Sequence, residues 1–326
     1  MFKSNHSPFG KYEKITIGNG RGSQFTVLPG FGGCLLEVQL DGVQVLDGYK
    51  TPLEVDINRW YKNVLLYPFP NRLKNGQYTW KGKTYQFPIN DTDTETALHG
   101  FGVNKSMKVD MLQCQESSAS IVCVYDYQGD LEAFPFPFRF CANFEINDSG
   151  AFVVRLSATN TGSQIMPFGF GWHPYFALSE AVGDTALQMP ACELIGVDGN
   201  MIPTGKRYAF DDFTNPQKIG TTVLDNAFAL STSENQAHFS LNSSQGKLTG
   251  WVETGPKKYK YLQVFTPPYR GAIAVEPMTC NIDAFNNGDC LMEIGPGEEV
   301  SAGFGFRFNL VGTTRTSQNF LATDRP

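Results

Sequence analysis

Two of the four histidines have neighbours that are unusual for surface residues. His99 is followed by Gly100, which lets the backbone turn sharply or a ligand approach closely. His173 lies among glycines and aromatic residues, and the following Pro174 favours an extended backbone at the histidine. An imidazole can donate or accept a proton near neutral pH, so both are candidates for proton transfer, although each could equally be structural. We interpret the other two as solvated surface residues, His6 in a polar N-terminal segment and His238 within a predicted strand.

Two acidic residues and one arginine are the other candidates. Glu276 ends an apolar run just before a proline. It therefore lies either at a solvated strand end or in a pocket, where desolvation would raise its pKa and make it a better base near neutrality. Asp225 is the weaker acidic candidate, because aspartate often caps a turn or a helix. Arg72 carries a rigid fork of donors that suits sugar hydroxyls or a carboxylate, although most arginines lie on the surface.

The elements that position these residues are predicted to be strands, because the hydrophobic period is two almost everywhere. The 33 glycines and 19 prolines disfavour long helices. Alternating residues around turn clusters predict hairpins of 78–80 with 85–87, 107–113 with 121–127 and 138–146 with 152–158, and a strand over 300–308. A short helical turn is expected around residues 225–229. The fold class we expect is all-β, a large antiparallel sandwich with few short helices.

Composition and charge narrow the functional classes. No linker divides the chain, so we expect a single domain over residues 1–326. The net charge is −6 and no dense basic run is present, which argues against binding to nucleic acid. No signal peptide and no membrane-spanning apolar run is found. The seven cysteines are scattered and never spaced CxxC, which argues against disulfides and a zinc site. We expect a cytoplasmic monomer or homodimer.

Five motifs between about residues 70 and 290 resemble, in the right order, the landmarks of the aldose 1-epimerase family. They are Pro70-Asn71-Arg72-Leu73 with the Gly- and Tyr-containing block that runs to Asn90, Leu98-His99-Gly100, Trp172-His173-Pro174-Tyr175-Phe176, Leu224-Asp225-Asn226-Ala227-Phe228 and Val275-Glu276-Pro277, after which Asp283-Ala284-Phe285-Asn286 follows. Their joint occurrence in this order is far more specific than any one motif.

The resemblance implies both a fold and a set of roles. The fold would be the galactose-mutarotase-like β-supersandwich, with a cleft across one sheet. Glu276 would be the general base that removes the proton of the anomeric hydroxyl, and His173 the general acid that protonates the ring oxygen. Arg72, His99 and Asp225 would hold a monosaccharide substrate, and neither a cofactor nor a metal is implied.

The chemistry of anomer exchange agrees with this assignment. One proton must leave the C1 hydroxyl while another reaches the ring oxygen, so one carboxylate and one imidazole suffice. No electron is transferred, and the sequence has no P-loop and no nucleotide-binding glycine motif. We expect the side chains of His173 and Glu276 to face each other across a gap as wide as one hexose ring.

Two departures from the family pattern, Phe101 after Gly100 and Met278 after Pro277, are expected to touch the pocket wall and leave the sugar open. A phosphorylated hexose would need additional cations, for which the scattered candidates are Arg59, Lys62, Lys74 and Lys105. Aromatic residues that could stack on a sugar are Trp60, Trp172 and Tyr175, although most are expected to be buried in packing.

Three functions of different classes therefore remain. The first is a mutarotase acting on a free aldose or on a hexose phosphate. The second is a non-catalytic carbohydrate-binding protein, which would not need His99, His173 and Glu276 together. The third is a glycoside hydrolase or lyase, which normally needs two carboxylates, and Asp225 is the only candidate partner for Glu276.

Overall fold

The computed structural model describes residues 1–312 of the chain, and strands dominate this part. The first fourteen strands are β1 Lys3–Phe9, β2 Tyr12–Gly18, β3 Gln24–Leu28, β4 Cys34–Leu40, β5 Val43–Gln44, β6 Leu65–Leu66, β7 Arg72–Lys74, β8 Gln77–Trp80, β9 Lys83–Gln86, β10 Thr96–Leu98, β11 Lys108–Cys114, β12 Ser118–Tyr127, β13 Phe138–Asn147 and β14 Ala151–Asn160. The remaining ones are β15 Met166–Phe168, β16 Gly171–Trp172, β17 Tyr175–Phe176, β18 Ala186–Gln188, β19 Cys192–Val197, β20 Pro203–Phe210, β21 Gln217–Lys218, β22 Asp225–Leu230, β23 Gln236–Asn242, β24 Gly246–Glu253, β25 Tyr261–Phe265, β26 Ile273–Met278, β27 Met292–Ile294 and β28 Glu299–Leu310.

Helical structure is confined to short segments within the described residues. The two α-helices are α1 Pro52–Ile57 and α2 Ala284–Asn287, and single 3-10 turns occur at Pro29–Phe31, Arg59–Tyr61, Gly102–Asn104 and Val182–Asp184. None of the helices in the described part of the chain is long and apolar enough to cross a membrane.

Two large sheets carry most of the strands. One has nine strands in the order β11-β12-β13-β14-β28-β24-β23-β18-β21, and the other has eight in the order β20-β19-β22-β25-β26-β16-β6, with β17 also paired to β26. Neighbouring strands in both sheets run antiparallel. A five-stranded sheet, β1-β2-β3-β4-β5, precedes them in the chain. The predicted all-β, mostly antiparallel fold with few short helices is confirmed.

The core lies between the nine- and eight-stranded sheets, where side chains from both form one continuous apolar cluster. The ring of Trp172 on β16 contacts Phe304 and Phe306 on β28, with centroids 5.3 and 6.4 Å apart. Phe306 also contacts Phe176 on β17 at 5.2 Å. Because successive strand residues point to opposite faces, the residues that alternate with these core residues point away from the core.

The hairpins predicted from the sequence are confirmed as β8–β9, β11–β12 and β13–β14, and the C-terminal strand as β28. In the β8–β9 hairpin, Lys81 and Gly82 both have positive φ angles, 48° and 81°. Two-residue turns of this kind match the twist of the flanking strands. The short helical turn expected around residues 225–229 is wrong, because these residues belong to β22, which pairs with β19 and β25.

Alternation within the eight-stranded sheet creates the face on which the candidate site lies. On β26, Ile273 and Val275 belong to the core between the two sheets, so Glu276 points to the opposite face. The same alternation on the neighbouring strands β25 and β22 places Gln263 and Asp225 on that opposite face. Three polar side chains from adjacent strands therefore project from one side of the sheet.

Candidate active site

A cleft with a volume of about 340 Å³ lies over this polar face. Its size falls at the lower end of the range for small-molecule sites in proteins. All five residues predicted from the sequence as site residues line it, namely Arg72, His99, His173, Asp225 and Glu276. The fold therefore gathers positions that are up to about two hundred residues apart in the chain.

Strand register brings His173 opposite Glu276. Gly171 on β16 pairs with Met278 on β26, and Tyr175 on β17 pairs with Ala274 on the same strand. His173 is midway between Gly171 and Tyr175, and Glu276 is midway between Ala274 and Met278. The two residues therefore occupy facing positions. Because Pro174 interrupts the strand there, the ladder opens and the imidazole projects over the carboxylate.

His173 Nε2 lies 3.3 Å from Glu276 Oε1, and their side chains are only 8% and 2% exposed. Burial lowers the pKa of His173 to about 3. Burial also raises the pKa of Glu276 well above its usual value, with a further increase from Asp225 and an opposing effect of Arg72. Both shifts disfavour the charged forms, so the pair carries one shared proton at pH values between its two titrations.

The far atoms of the pair have no hydrogen bond. His173 Nδ1 and Glu276 Oε2 are both buried without a partner within residues 1–312. Buried polar atoms are nearly always paired in folded proteins, so these two atoms are exceptions that distinguish the pair from an ordinary buried polar contact.

The expectation that the two side chains face each other across a gap as wide as one hexose ring is wrong. They touch, because the register of β16, β17 and β26 places them as neighbours. This proximity suits proton transfer to two atoms bonded to the same carbon, since such atoms are themselves close together. A ligand must therefore lie on top of the pair rather than between its members.

His99 contributes a neutral imidazole beside the pair. Its Nδ1 accepts a hydrogen bond from the backbone N–H of Asn71 at 3.2 Å, and its ring lies 5.3 Å from the ring of His173. Burial lowers the pKa of His99 well below its usual value, and the charges of His173 and Arg72 lower it further. Because Nδ1 is an acceptor, the single proton of the neutral ring resides on Nε2, which can then donate to a ligand.

The backbone around His99 is in the left-handed region at three positions. Asn71, His99 and Gly100 have φ angles of 59°, 65° and 66°, and the backbone N–H of His99 donates to the carbonyl of Asn71 at 2.8 Å. Such conformations cost free energy and persist only where the surrounding structure holds them, which is often at functional sites. Of the two interpretations of Gly100, a sharp backbone turn and the close approach of a ligand, the positive φ supports the first.

Arg72 begins β7, which pairs with β10 so that Arg72 lies opposite Leu98. Its Nε donates to Asp91 Oδ2 at 3.2 Å. The Asp-Ala-Phe-Asn motif supports this strand from behind, because Asp283 Oδ1 accepts from the backbone N–H of Lys74 at 2.9 Å and its own N–H donates to the carbonyl of Arg72 at 2.8 Å.

Asp225 is connected to the rest of the cleft through Gln263. Gln263 Nε2 donates to Asp225 Oδ1 at 2.8 Å, and Asn71 Nδ2 donates to Gln263 Oε1 at 3.4 Å. Gln263 lies directly opposite Glu276 in the pairing of β25 with β26. Burial raises the pKa of Asp225, while Arg72 and the Gln263 hydrogen bond lower it.

Several cleft residues were not identified as candidates from the sequence. They are Asn71, Asn90 and Asp91, which lie in or beside the first motif, and Tyr61, Gln263 and Phe265. Gln263 had one available signal, namely a polar residue at the centre of the otherwise apolar strand β25. Asp91 had none, because only the fold shows which arginine its carboxylate meets.

The aromatic candidates divide into two groups. Trp60 and Tyr175 line the cleft, and the Tyr175 ring stacks on His173 at 4.9 Å with an interplanar angle of 5°. The Tyr175 hydroxyl donates to the carbonyl of Trp60 at 2.7 Å. Trp172 is fully buried in the core between the sheets and does not line the cleft.

The two departures from the family pattern do not touch the pocket wall, contrary to expectation. Phe101 packs against Tyr127 and Phe134 in the core, with ring centroids 4.9 and 6.0 Å away. Met278 is fully buried in a separate apolar cluster beside Tyr261. Neither side chain lines the cleft. Met278 lies on the same face of β26 as Glu276, but it is covered by the apolar cluster around Tyr261.

The four cations considered for a phosphate also lie elsewhere, since none of them lines the cleft. Arg59 stacks over Trp60 at 4.9 Å, Lys62 pairs with Asp47 at 2.6 Å and Lys105 lies 5.9 Å from the Phe101 ring centroid, while Lys74 is exposed. Within residues 1–312, no group of three or more His, Cys, Asp or Glu side chains could hold a metal ion.

Comparison with known proteins adds a family and a fold. Residues 13–307 match the family model described as aldose 1-epimerase. The uncharacterized protein YihR of Escherichia coli (strain K12) is 26% identical over 294 residues, which cover 87% of this chain and 90% of that protein.

Solved structures of the same fold are also similar. A galactose mutarotase-like protein from Clostridium acetobutylicum has a TM-score of 0.84 at 20% identity, over 95% of this chain and 99% of that one. Galactose 1-epimerase from Lactobacillus acidophilus NCFM has a TM-score of 0.80 at 19% identity, again over 95% of this chain and 99% of that one. At these identities the likeness shows the fold, and it confirms the predicted galactose-mutarotase-like sandwich.

Proposed function

The chain belongs to the aldose 1-epimerase family, and from this premise we propose that it interconverts the α and β anomers of an aldohexose. The observation that carries the proposal is the contact between His173 Nε2 and Glu276 Oε1, 3.3 Å apart in the cleft. Two proton-transfer groups at this distance can serve the anomeric hydroxyl and the ring oxygen of one sugar simultaneously, because both oxygens are bonded to C1.

The reaction uses the single proton that the pair holds. Its ion-pair form has a carboxylate at Glu276 and an imidazolium at His173. Glu276 takes the proton of the C1 hydroxyl and His173 gives its proton to the ring oxygen, while the bond between C1 and the ring oxygen breaks to leave an open-chain aldehyde. After rotation about the C1–C2 bond, the C5 hydroxyl attacks the other face of the aldehyde. His173 then takes back its proton and Glu276 returns one to the oxygen on C1.

The other cleft residues hold the sugar in this proposal. His99 donates from Nε2, Arg72 donates from its guanidinium, and Asp225 accepts from sugar hydroxyls. Fixing the ring over the acid–base pair lowers the entropy that must be lost in the transition state. Trp60 at the cleft wall offers an apolar surface to a face of the pyranose.

Polarimetry on freshly dissolved α-glucose and α-galactose tests this function. We expect acceleration over the spontaneous rate, and a loss of roughly 10²–10⁴-fold in kcat for Glu276→Gln and for His173→Asn. Glu132→Gln, at an exposed site outside the cleft, is the matched control and should retain full activity. Circular dichroism verifies that each variant is folded. Full activity in both site variants would contradict the assigned roles.

The alternatives give different results in the same assays. A non-catalytic binding protein would bind sugar without changing the mutarotation rate. A glycoside hydrolase would release the aryl group from an aryl glycoside, and its second carboxylate would have to be Asp225, whose oxygen already accepts from Gln263. A hexose-phosphate mutarotase would prefer a phosphorylated substrate.

A further inference from the structure

The cleft holds more acidic than basic side chains. Arg72 is its only lysine or arginine among the described residues, whereas the carboxylates of Asp91, Asp225 and Glu276 all line it. When the His173–Glu276 pair holds one proton it has no net charge, and the remaining balance is one cation against two carboxylates. Lys and Arg side chains elsewhere in the described chain do not reach the cleft to change this balance.

Asp91 is built into a fixed position against Arg72. Its Oδ2 accepts from Arg72 Nε at 3.2 Å and from Thr94 Oγ1 at 2.8 Å. Backbone hydrogen bonds of 3.0 and 3.1 Å between Asp91 and Thr96 close the turn that carries the carboxylate. The Arg72 and Asp91 side chains are 15% and 17% exposed, so solvent screens their charges only weakly.

Both charges reach the carboxyl group of Asp225 on the floor of the cleft. Burial raises the pKa of Asp225 first of all, while Arg72 lowers it and Asp91 raises it further. An anion brought into the cleft would experience the same fields, since electrostatic energies depend on distance and local dielectric and not on which group carries the charge.

We propose that Asp91 is a specificity-determining residue: by neutralising Arg72, it makes the cleft select uncharged sugars over anionic ones such as hexose phosphates and uronic acids. This inference rests on the proposed function for the identity of the ligand class. Without Asp91, the guanidinium would be an unpaired cation in a largely buried site and would attract a carboxylate or phosphate on the sugar.

Anomer exchange rates measured by ¹H exchange NMR at equilibrium test the inference on two substrate pairs, galactose with galacturonate and glucose with glucose 6-phosphate. We expect the wild type to favour the neutral member of each pair by roughly tenfold or more in kcat/KM, and Asp91→Asn to reduce this ratio by roughly tenfold. Asp91→Glu, which keeps the charge, should retain the preference.

Asp93→Asn is the matched control, because it removes the same charge from the same turn at an exposed position that does not line the cleft. Its neutral-to-anionic ratio should stay within about twofold of the wild type. The inference is overturned if Asp91→Asn and Asp93→Asn behave alike, or if the wild type handles anionic sugars as well as neutral ones.

Isothermal titration calorimetry with the same four sugars tests the inference on Asp91 independently of the proposed reaction, because it measures binding alone. If no sugar is interconverted, the proposed function fails, and the ratio of binding constants then decides the inference by the same criterion. A preference for neutral sugars that Asp91→Asn abolishes supports it, and an absence of binding to any of the four sugars overturns it.

Discussion

At the residue scale, the central feature is a buried acid and a buried base in contact. His173 and Glu276 have pKa shifts in opposite directions, both caused mainly by burial. The lowered pKa of His173 and the raised pKa of Glu276 widen the pH range in which the pair holds one proton. This one-proton state is the form that acid–base chemistry on a sugar requires.

The pH profile follows from this state. Activity should fall at acidic pH only when the pair takes a second proton, which the His173 pKa of about 3 places far below the usual histidine range. We therefore expect no decline in kcat/KM as the pH is lowered from 7 to 5, since this parameter reports the groups of the free enzyme. Polarimetry in a series of buffers measures it, and a decline centred near pH 6.5 in folded protein would contradict the prediction.

Stability should move in the opposite direction to activity when Glu276 is replaced by glutamine. The raised pKa of Glu276 means that the folded state holds its proton more tightly than the unfolded state does. Its contribution to stability is therefore present at low pH and is lost as the pH rises through the folded-state pKa. We expect Glu276→Gln, which stays neutral, to raise Tm by a few degrees at pH 8, with a smaller difference at pH 5.

Differential scanning calorimetry at the two pH values measures this change. The exposed Glu132→Gln variant is the control and should leave Tm unchanged at both. An equal Tm for wild type and Glu276→Gln at pH 8 would show that ionisation of Glu276 costs the fold nothing.

At the element scale, the site depends on interruptions of regular strands. The gap between β16 and β17 lets His173 leave the ladder opposite Glu276, and the turn after β10 presents His99. Uninterrupted strands would have aligned these residues in a flat sheet without a concave surface. The cleft is thus made where the hydrogen-bonded ladder stops.

Gly100 is the most constrained position of the turn after β10. Its φ is +66°, and a Cβ atom there would lie 2.3 Å from the carbonyl oxygen of Tyr67. We expect Gly100→Ala to destabilise the protein by more than about 2 kcal/mol and to reduce activity by displacing His99. Urea unfolding and polarimetry measure the two effects.

Gly82→Ala is the matched control for Gly100→Ala. Gly82 also has a positive φ, +81°, but nothing lies within 4 Å of its added Cβ. Gly82→Ala should therefore lower the unfolding free energy by only about 1 kcal/mol, because only the backbone conformation disfavours alanine there. Its activity should be unchanged. An equal loss of unfolding free energy in both variants would show that the close approach of the Gly100 Cβ to Tyr67 does not destabilise the protein.

At the scale of the whole molecule, the packing of the two large sheets supports the site from below. Trp172 precedes His173, and its ring lies between the sheets against Phe304 and Phe306. The Trp172 Nε1–H donates to the carbonyl of Asn63 at 3.2 Å. Because Trp172 is the neighbour of His173 in the chain, these core contacts also help to fix the position of the His173 imidazole.

Phe306→Ala tests this coupling. Phe306 is fully buried and contacts Trp172 and Phe176 across the core. We expect a loss of about 3–5 kcal/mol in unfolding free energy from the cavity and the lost burial, together with reduced kcat. Val223→Ala at a 75% exposed site should change stability by less than about 0.5 kcal/mol. An unfolding free energy for Phe306→Ala equal to that of the wild type would contradict the prediction.

The fold was largely predictable because its signals are local. Strand alternation and turn residues are read within about ten residues, and they predicted hairpins such as β13–β14 correctly. The error at residues 225–229 arose where capping residues precede a short apolar run, which suits a helical turn or a strand equally. Pairing of that segment with β19 and β25 decided in favour of the strand.

The amino-acid sequence by itself determined which side chains are available for the chemistry, and motif order identified Glu276, His173, Arg72, His99 and Asp225. Tertiary structure alone decided that His173 and Glu276 touch, that Phe101 and Met278 do not line the cleft, and that Asp91 pairs with Arg72. The physical reason is range: the face on which a residue points follows from local alternation, whereas the partner that it meets there depends on which distant strands become neighbours.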